Sequence, residues 1–397
     1  MATYKEQNKL NVPHLRFSEF QGEWEKHGLS EYLDFKNGLN PDSKRFGKGI
    51  KFISVMDILN NPVITYDCIR ASVQATDAEI SSFSVENGDI LFQRSSETLE
   101  DVGRANVYID DRVAVFGGFV IRGKKKANYN PLFFRYLLSS PYARKRIIPM
   151  GAGAQHFNIG QEGLSKVLLN FPSIEEQTKI ASLLHLLDER IATQSKLIEK
   201  LESLIKGIVD STISCKPKNS TIGYVCSVSE QIKAVPNFED IITVRLHGKG
   251  VCKSSVENLQ LGATQYYHRK AGQLIYGKQN FHNGAIGIVP ENLNNAITSK
   301  DIPSFDIKSS KCNPLYLLIQ LQSPHYYKPA ESLTTGTGSK RLKEETFLKM
   351  PIFLPDKERQ DSIATLISSI MMKLNKADKT LNLLIKQKQY LLRQMFI

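Results

Sequence analysis

The side chains best suited to chemistry in this chain are hydrogen-bonding groups set close to glycine. "FQRSSETLEDVGR" carries Gln93, Arg94 and Arg104, "RGKKK" carries Arg122, Lys124, Lys125 and Lys126, and "GAGAQHFN" carries Gln155, His156 and Asn158. Further on, "YGKQNFHNG" holds Lys278, Gln279, Asn280, His282 and Asn283, and "TGTGSKR" holds Ser339, Lys340 and Arg341. Arg and Lys bond guanine edges and phosphates, Gln and Asn bond adenine, and glycine lets the backbone come close to phosphate. These residues are therefore candidate DNA contacts. The competing reading of a run such as "KKK" is ordinary solvated surface. A formal net charge of +12 and a pI of about 9.3 favour an anionic partner, whether nucleic acid, membrane surface or acidic protein.

Catalytic patterns are missing. "NPLF" (Asn130–Phe133) and "NPLY" (Asn313–Tyr316) resemble the N-P-P-[YF] loop of adenine methyltransferases, but Leu132 and Leu315 replace the second proline. Each Asn reads better as a helix N-cap with Pro at the first helical position, where the missing N–H costs nothing. The sequence has no Gly-rich cofactor loop after a strand, no Walker A, no HExxH and no GxSxG. The eight histidines are scattered, and His185 reads as helix packing. The five cysteines (Cys68, Cys215, Cys226, Cys252, Cys312) form no CxxC pair, so neither a disulfide framework nor a metal site is expected. Odd, unpaired cysteines suit a reducing cytoplasm. Met1–Leu10 lacks the apolar core of a signal peptide, and no run nears the roughly 18 apolar residues of a membrane span. The expectation is a soluble, non-catalytic cytoplasmic protein with no membrane partner.

What positions the polar loops is a repeat. "PSIEEQTKIASLLHLLDERI" starts at Pro172 and "PDKERQDSIATLISSIMMKL" at Pro355, an offset of 183 residues. The same offset maps Gln177 to Gln360, Ile180 to Ile363, Leu183 to Leu366 and Ile159 to Leu342. It also lays "NPLFFRYLLSSPY" (Asn130–Tyr142) on "NPLYLLIQLQSPH" (Asn313–His325) without a gap. "NGDILF" (Asn87–Phe92) resembles "AGQLIY" (Ala271–Tyr276) at an offset of 184, and earlier residues barely align. The chain is a divergent duplication in which each half is a variable domain followed by a helix.

The helices carry their own start signals. Ser173 is a good N-cap, and Glu176 completes a capping box; Asp356 is the equivalent cap. Apolar residues then recur at gaps of four and three. The first series is Ile180, Leu184, Leu187, Ile191, Ile198, Leu201, and the second is Ile363, Ile367, Ile370, Leu374, Leu381, Leu384. That spacing is a coiled-coil seam, interrupted at Gln194 and Lys388. Some 38 residues of helix span roughly 55–60 Å, more than one small domain covers, so the helices are expected to pair with each other, antiparallel. "SCKPKNST" (Ser214–Thr221) reads as the linker out of the first helix.

The domains themselves read as mixed α/β. Strands with Gly turns are expected in "GKGIKFISVMDI" (Gly47–Ile58), "GDILFQR" (Gly88–Arg94), "ANVYI" (Ala105–Ile109) and "VAVFGGFVIRG" (Val113–Gly123), repeated in "GQLIYGK" (Gly272–Lys278) and "GAIGIV" (Gly284–Val289). One helix is expected over Pro131–Ile147 and another from Pro314.

Taken together, these pieces resemble the specificity subunit of type I restriction-modification enzymes. "VPHLRFSEFQGEWEKHGLSEYLDFKNG" (Val12–Gly38) is similar to the lead-in of such subunits. "FPSIEEQTKIASLLHLLDERI" (Phe171–Ile191) is similar to their central conserved region and "LPDKERQDSIATLI" (Leu354–Ile367) to the distal one. "GDILFQRSS", "VFGGFVIR" and "NPLFFRYLLSS" are similar to landmarks of the first recognition domain. The distal copy departs from the pattern, with Arg359 where Glu176 stands in the first.

The resemblance implies an α+β fold: two mixed α/β target-recognition domains in a pseudo-two-fold tandem repeat, separated by two long antiparallel coiled-coil helices. Its expected parts are recognition domain 1 (1–172), central helix (173–213), linker (214–221), recognition domain 2 (222–354) and distal helix (355–397). Each domain would bind one half of a bipartite, asymmetric double-stranded DNA target. The helices would set the spacing and dock two modification (methyltransferase) subunits, and restriction subunits, ATP-dependent translocase/nucleases, would join. No cofactor is expected on this chain; S-adenosylmethionine, ATP and Mg belong to the partners. A stand-alone coiled-coil adaptor of proteins is the alternative, and it leaves the basic charge unexplained.

Overall fold

The computed structural model describes residues 11–235, 237–254, 264–336 and 340–397. The expectations placed on Met1–Leu10 and on Ser339 lie outside the described residues. Contacts divide the chain into two units: residues 1–195 with 379–397, and residues 196–378. Each long helix is thus shared between the units, whereas the sequence reading set the helices apart as segments of their own.

In unit 1 the main sheet comprises β1 (Leu33–Asn37), β2 (Ile90–Gln93), β3 (Ala105–Val107) and β4 (Val120–Lys125). Their order is β1-β4-β2-β3, antiparallel throughout. In unit 2 the corresponding strands are β5 (Cys226–Val228), β6 (Leu274–Tyr276), β7 (Ile286–Ile288) and β8 (Ser304–Ile307), in the order β5-β8-β6-β7. The two orders are the same, so the duplication reaches the strands whose sequences barely align. A short ladder closes each domain where its long helix begins: Glu25–Gly28 pairs with Leu168–Phe171, and Ser220–Thr221 with Pro351–Ile352. The expected linker therefore gives its last two residues to a strand.

Two further elements differ from the sequence reading. The strand expected over Gly47–Ile58 ends at Ile53, and Val55–Asn60 is helical. Its start is fixed by the Asp57 carboxylate, which accepts from the Ser54 N–H at 2.7 Å. The single helix expected over Pro131–Ile147 is two, α1 (Pro131–Ser139) and a second from Pro141 to Ile147. Pro141 has no N–H to continue the ladder, and the Ser140 hydroxyl caps the new helix at the Ala143 N–H (3.2 Å).

Both Asn-Pro-Leu motifs are N-caps. The Asn130 side chain accepts from the Phe133 N–H at 3.0 Å, and Asn313 accepts from Leu315 and Tyr316 at the start of α3 (Pro314–Leu321). A buried glutamine ties each cap to its long helix, α2 (Ile174–Val209) or α4 (Lys357–Gln394). Gln177 accepts from the Asn130 N–H at 3.0 Å and donates to the Pro172 carbonyl at 3.0 Å. Gln360 accepts from the Asn313 N–H and donates to the Pro355 carbonyl, both at 2.9 Å. All three partners map onto one another at the repeat offset.

The capping box at Ser173 is only half formed. Ser173 accepts from the Glu176 N–H at 3.3 Å, but the Glu176 carboxylate turns inward. It receives Arg16 through Nε (2.8 Å) and Nη2 (2.7 Å), with Trp24 Nε1 at 3.4 Å. A bidentate guanidinium is a stronger partner than a single backbone N–H. The second copy has the exposed Arg359 at this position, while the Asp356 cap is made, to the Arg359 N–H at 2.8 Å.

Within unit 1, Ile180, Leu184 and Leu187 at the start of α2 share a core with Leu384, Leu391, Met395 and Phe396 at the end of α4. Within unit 2, Ile205, Ile208 and Val209 at the end of α2 pack with Ile363, Ala364 and Ile367 at the start of α4. The pair is therefore antiparallel. Ile370 is also buried, and Ile191, Ile198, Leu201, Leu374 and Leu381 are half-buried. At the seam break in unit 1, Lys388 Nζ lies 2.5 Å from Asp188, which also takes the Tyr136 hydroxyl (2.9 Å) and Arg135 (3.3 Å). No helix among the described residues is long and apolar enough to cross a membrane.

Candidate nucleic-acid interface

In unit 1, β2 runs out into Arg94, Ser95 and Ser96. The chain returns beside them after α1: Phe157–Asn158 pairs with Ser95–Ser96, and the Ile159 N–H donates to the Arg94 carbonyl at 2.9 Å. Ala152 and Asn158 exchange backbone hydrogen bonds at 2.9 Å, closing a hairpin whose tip carries Gln155 and His156. Both are exposed, as is Asn158, whose side chain takes the Ser95 hydroxyl at 2.5 Å. Arg94 is half-buried, with Nη1 on the Gly118 carbonyl at 3.2 Å. The structure thus brings Arg94, Gln155, His156 and Asn158 into one patch.

Unit 2 repeats three of these backbone bonds. Thr335 and Arg341 exchange backbone hydrogen bonds at 3.0 and 2.9 Å, and the Leu342 N–H donates to the Lys278 carbonyl at 2.8 Å. This hairpin offers Lys340 and Arg341, both exposed. Beside it lie Gln279 and Asn280, exposed, and His282 and Asn283, half-buried. Asn283 Nδ2 reaches Asn280 Oδ1 at 3.2 Å and His282 Nε2 at 3.3 Å. Several cations here have acidic neighbours: Lys278 with Glu344 at 2.9 Å, Arg341 with Asp301 at 3.4 Å, and Lys340 with Glu331 at 3.6 Å. The last two pairs are solvent-screened and weak, so phosphate competes for their cations readily.

Other candidates lie apart from these patches or inside the domain. Arg122 is 6% exposed. Its Nη1 donates to the Ser84 carbonyl, its guanidinium lies over the Phe116 ring, and burial pushes its pKa below the ordinary arginine value. Gln93 is also 6% exposed, and its Nε2 donates to the Ser95 carbonyl at 2.9 Å. Both are corrected here from surface contacts to internal groups, because β2 and β4 are buried on both faces where they sit. Lys124 pairs with Glu86 at 3.0 Å, Lys125 reaches the Tyr129 carbonyl at 3.2 Å, and Arg104 pairs with Asp101 at 2.6 Å. His185 is half-buried on α2, 3.8 Å from Glu189. No group of His, Cys, Asp and Glu among the described residues is arranged to hold a metal ion.

The frame matches known proteins along its length. Type I restriction modification DNA specificity domain is the family matched by residues 21–203. A type I restriction enzyme MjaVIII specificity subunit from Methanocaldococcus jannaschii is 21% identical, over 93% of this chain and 90% of that protein. Residues 21–203 belong to the type I specificity-domain family, and the chain is similar to a type I specificity subunit over nearly its whole length. A putative MjaX specificity subunit from the same organism is 25% identical over 52% of this chain and 48% of its own length. Among solved structures, the S subunit of a type I restriction-modification system from M. genitalium superposes with a TM-score of 0.62 at 13% identity, covering 97% of this chain and 99% of that one. A chain from a structure of type I system assembly and conformational transition gives 0.51 at 13% identity, covering 93% and 96%. These likenesses carry the fold, and the fold is that of a type I specificity subunit.

Proposed function

We propose that this specificity subunit reads a split DNA target, one half with each unit. The observation that carries the reading is the twin hairpin. The same backbone hydrogen bonds link Ala152 with Asn158 and Thr335 with Arg341, while the polar side chains beside them differ: Gln155, His156 and Asn158 in one, Lys340 and Arg341 in the other. A fixed frame with unlike readout groups suits an asymmetric target. Gln155, His156 and Asn158 would bond base edges in one half, and Lys340 and Arg341 in the other. The modification subunits would bind S-adenosylmethionine and methylate adenine; the restriction subunits would use ATP and Mg. The shared helices would set the gap between half-targets, since successive turns of one duplex face lie about 34–36 Å apart. The test is exchange of residues 1–170 for another recognition domain. The expected result is a new sequence in one half of the methylated motif and an unchanged other half. A change in both halves would count against two independent readers.

The helices also support docking of two modification subunits. Leu183 and Leu366 occupy equivalent repeat positions and are 36% and 50% exposed. In each case a leucine faces out on a helix whose other face is already buried. Leu183→Glu is expected to leave one modification subunit bound, and the Leu183→Glu/Leu366→Glu pair none. Native mass spectrometry of the complex reads the stoichiometry, and retention of both subunits by the double variant would refute the assignment.

A further inference from the structure

One aromatic side chain lies outside everything assigned above. Phe119 is 70% exposed. It is the third residue of the turn Gly117–Val120, closed by the Val120 N–H on the Gly117 carbonyl at 2.9 Å. The turn is held from four sides. Leu39 donates to the Phe116 carbonyl (2.9 Å), Gly117 to Ile53 (3.0 Å), Gly38 to Val120 (3.2 Å) and Arg94 to Phe119 itself (2.9 Å). Glycine is required beneath it: a Cβ on Gly38 would fall 2.1 Å from the Gly117 carbonyl oxygen. So a large apolar ring is presented on a backbone that does not need ordering when something binds.

Its surroundings say what that something is. The Arg94 N–H holds the tip, and the Arg94 carbonyl holds the hairpin of Gln155 and His156, so ring and hairpin are parts of one surface. Phe46 and Met56 line the same depression as Phe119, at 44% and 61% exposure, and exposed Lys44 and Lys48 flank Phe46 in sequence. Apolar tips rimmed by cations suit a nucleic-acid duplex, where rings enter base steps and cations meet phosphate. Unit 2 supplies an internal contrast. Lys278 N–H donates to the Asp301 carbonyl at 2.9 Å, as Arg94 N–H does to Phe119. At the equivalent position, then, unit 2 carries an acidic residue, and its carboxylate faces Arg341.

We propose that Phe119 is a wedge that inserts between base pairs of the half-target met by unit 1, so that this half is read partly through the ease of unstacking one step. The proposal rests on the split-target reading above. The wedge adds specificity at bases that no hydrogen bond touches, because steps differ in the cost of opening. Unit 2, with Asp301, reads without it.

The experiment uses the full chain with its modification subunit and a duplex bearing the mapped target. 2-Aminopurine is placed at each position of the unit 1 half in turn. The expected result is a rise in fluorescence at one step on binding. Phe119→Ala abolishes the rise and weakens binding about 10- to 100-fold, the usual worth of one aromatic–base stack; Phe119→Trp keeps both. Since the ring is exposed, these changes leave the core intact. Silent probes with intact DNA binding overturn the wedge alone. A Phe119→Ala chain that binds DNA like its parent but loses modification subunit marks the patch as a protein contact and also overturns it. If the parent complex binds no DNA at any salt, the split-target reading falls, and the wedge with it.

Discussion

Gln177→Leu is expected to destabilise unit 1 by about 3 kcal/mol, from a half-buried N–H and a buried carbonyl left unpaired at roughly 1–3 kcal/mol each. For a unit of this size that lowers the unfolding midpoint by about 6–12 °C. The Gln177 side chain is the tie between the N-cap of α1 and the first turn of α2, and it is buried at 3% exposure. Leucine fills a similar volume, so the loss reports hydrogen bonds rather than a cavity. Gln360→Leu is expected to do the same to unit 2, where Gln360 is 1% exposed. The two share no partners, so the double variant should lose the sum of the single losses. Calorimetry of the single and double variants checks this. A shift under about 1 kcal/mol for either would mean that the clamps are replaceable by water and are not what fixes each helix to its domain.

The clamps also show which parts of this molecule were legible in its sequence. That Gln177 and Gln360 correspond was visible from the repeat offset. That both reach back to an Asn-Pro N-cap 47 residues earlier in the chain was not, because a buried amide has no periodicity to betray its partner. The seam was legible because its cause is local: gaps of three and four follow from helix geometry, and each seam residue is buried or half-buried. The common sheet order was hidden by strands of three to six residues, too short to hold an alternation pattern. Arg122 was misread for a related reason. "RGKKK" looks like a surface charge run, but its first residue still belongs to the buried stretch of β4, where the Ser84 carbonyl and the Phe116 ring receive it. Phe119 was passed over within Val113–Gly123: strands with a Gly turn were read there, and the turn's exposed side chain was not singled out.

Replacing Gln155, His156 and Asn158 together by alanine should relax one half of the methylated motif and spare the other. Each base pair read by direct contact is worth about 1–3 kcal/mol of discrimination. Loss of two such contacts lowers the preference for the cognate half-target by roughly 10²-fold or more. Lys340→Ala with Arg341→Ala should do the converse, relaxing only the half read by unit 2. The two hairpins make this a matched pair: the frame bonds at Ala152–Asn158 and Thr335–Arg341 are backbone bonds, so alanine leaves them in place. In unit 1 Asn158 loses side-chain contacts to Ser95 and the His156 carbonyl, and in unit 2 Lys340 and Arg341 lose their exposed pairs with Glu331 and Asp301; a His156→Ala single variant, with no side-chain hydrogen bond to lose, separates readout from loop support. Single-molecule sequencing of methylated adenines in cells carrying each variant with its modification subunit gives both halves at once. Relaxation of both halves by one hairpin's variant would mean that recognition is pooled across the chain. Unaltered motifs in both variants would move the reading surface off the hairpins and onto another part of each domain.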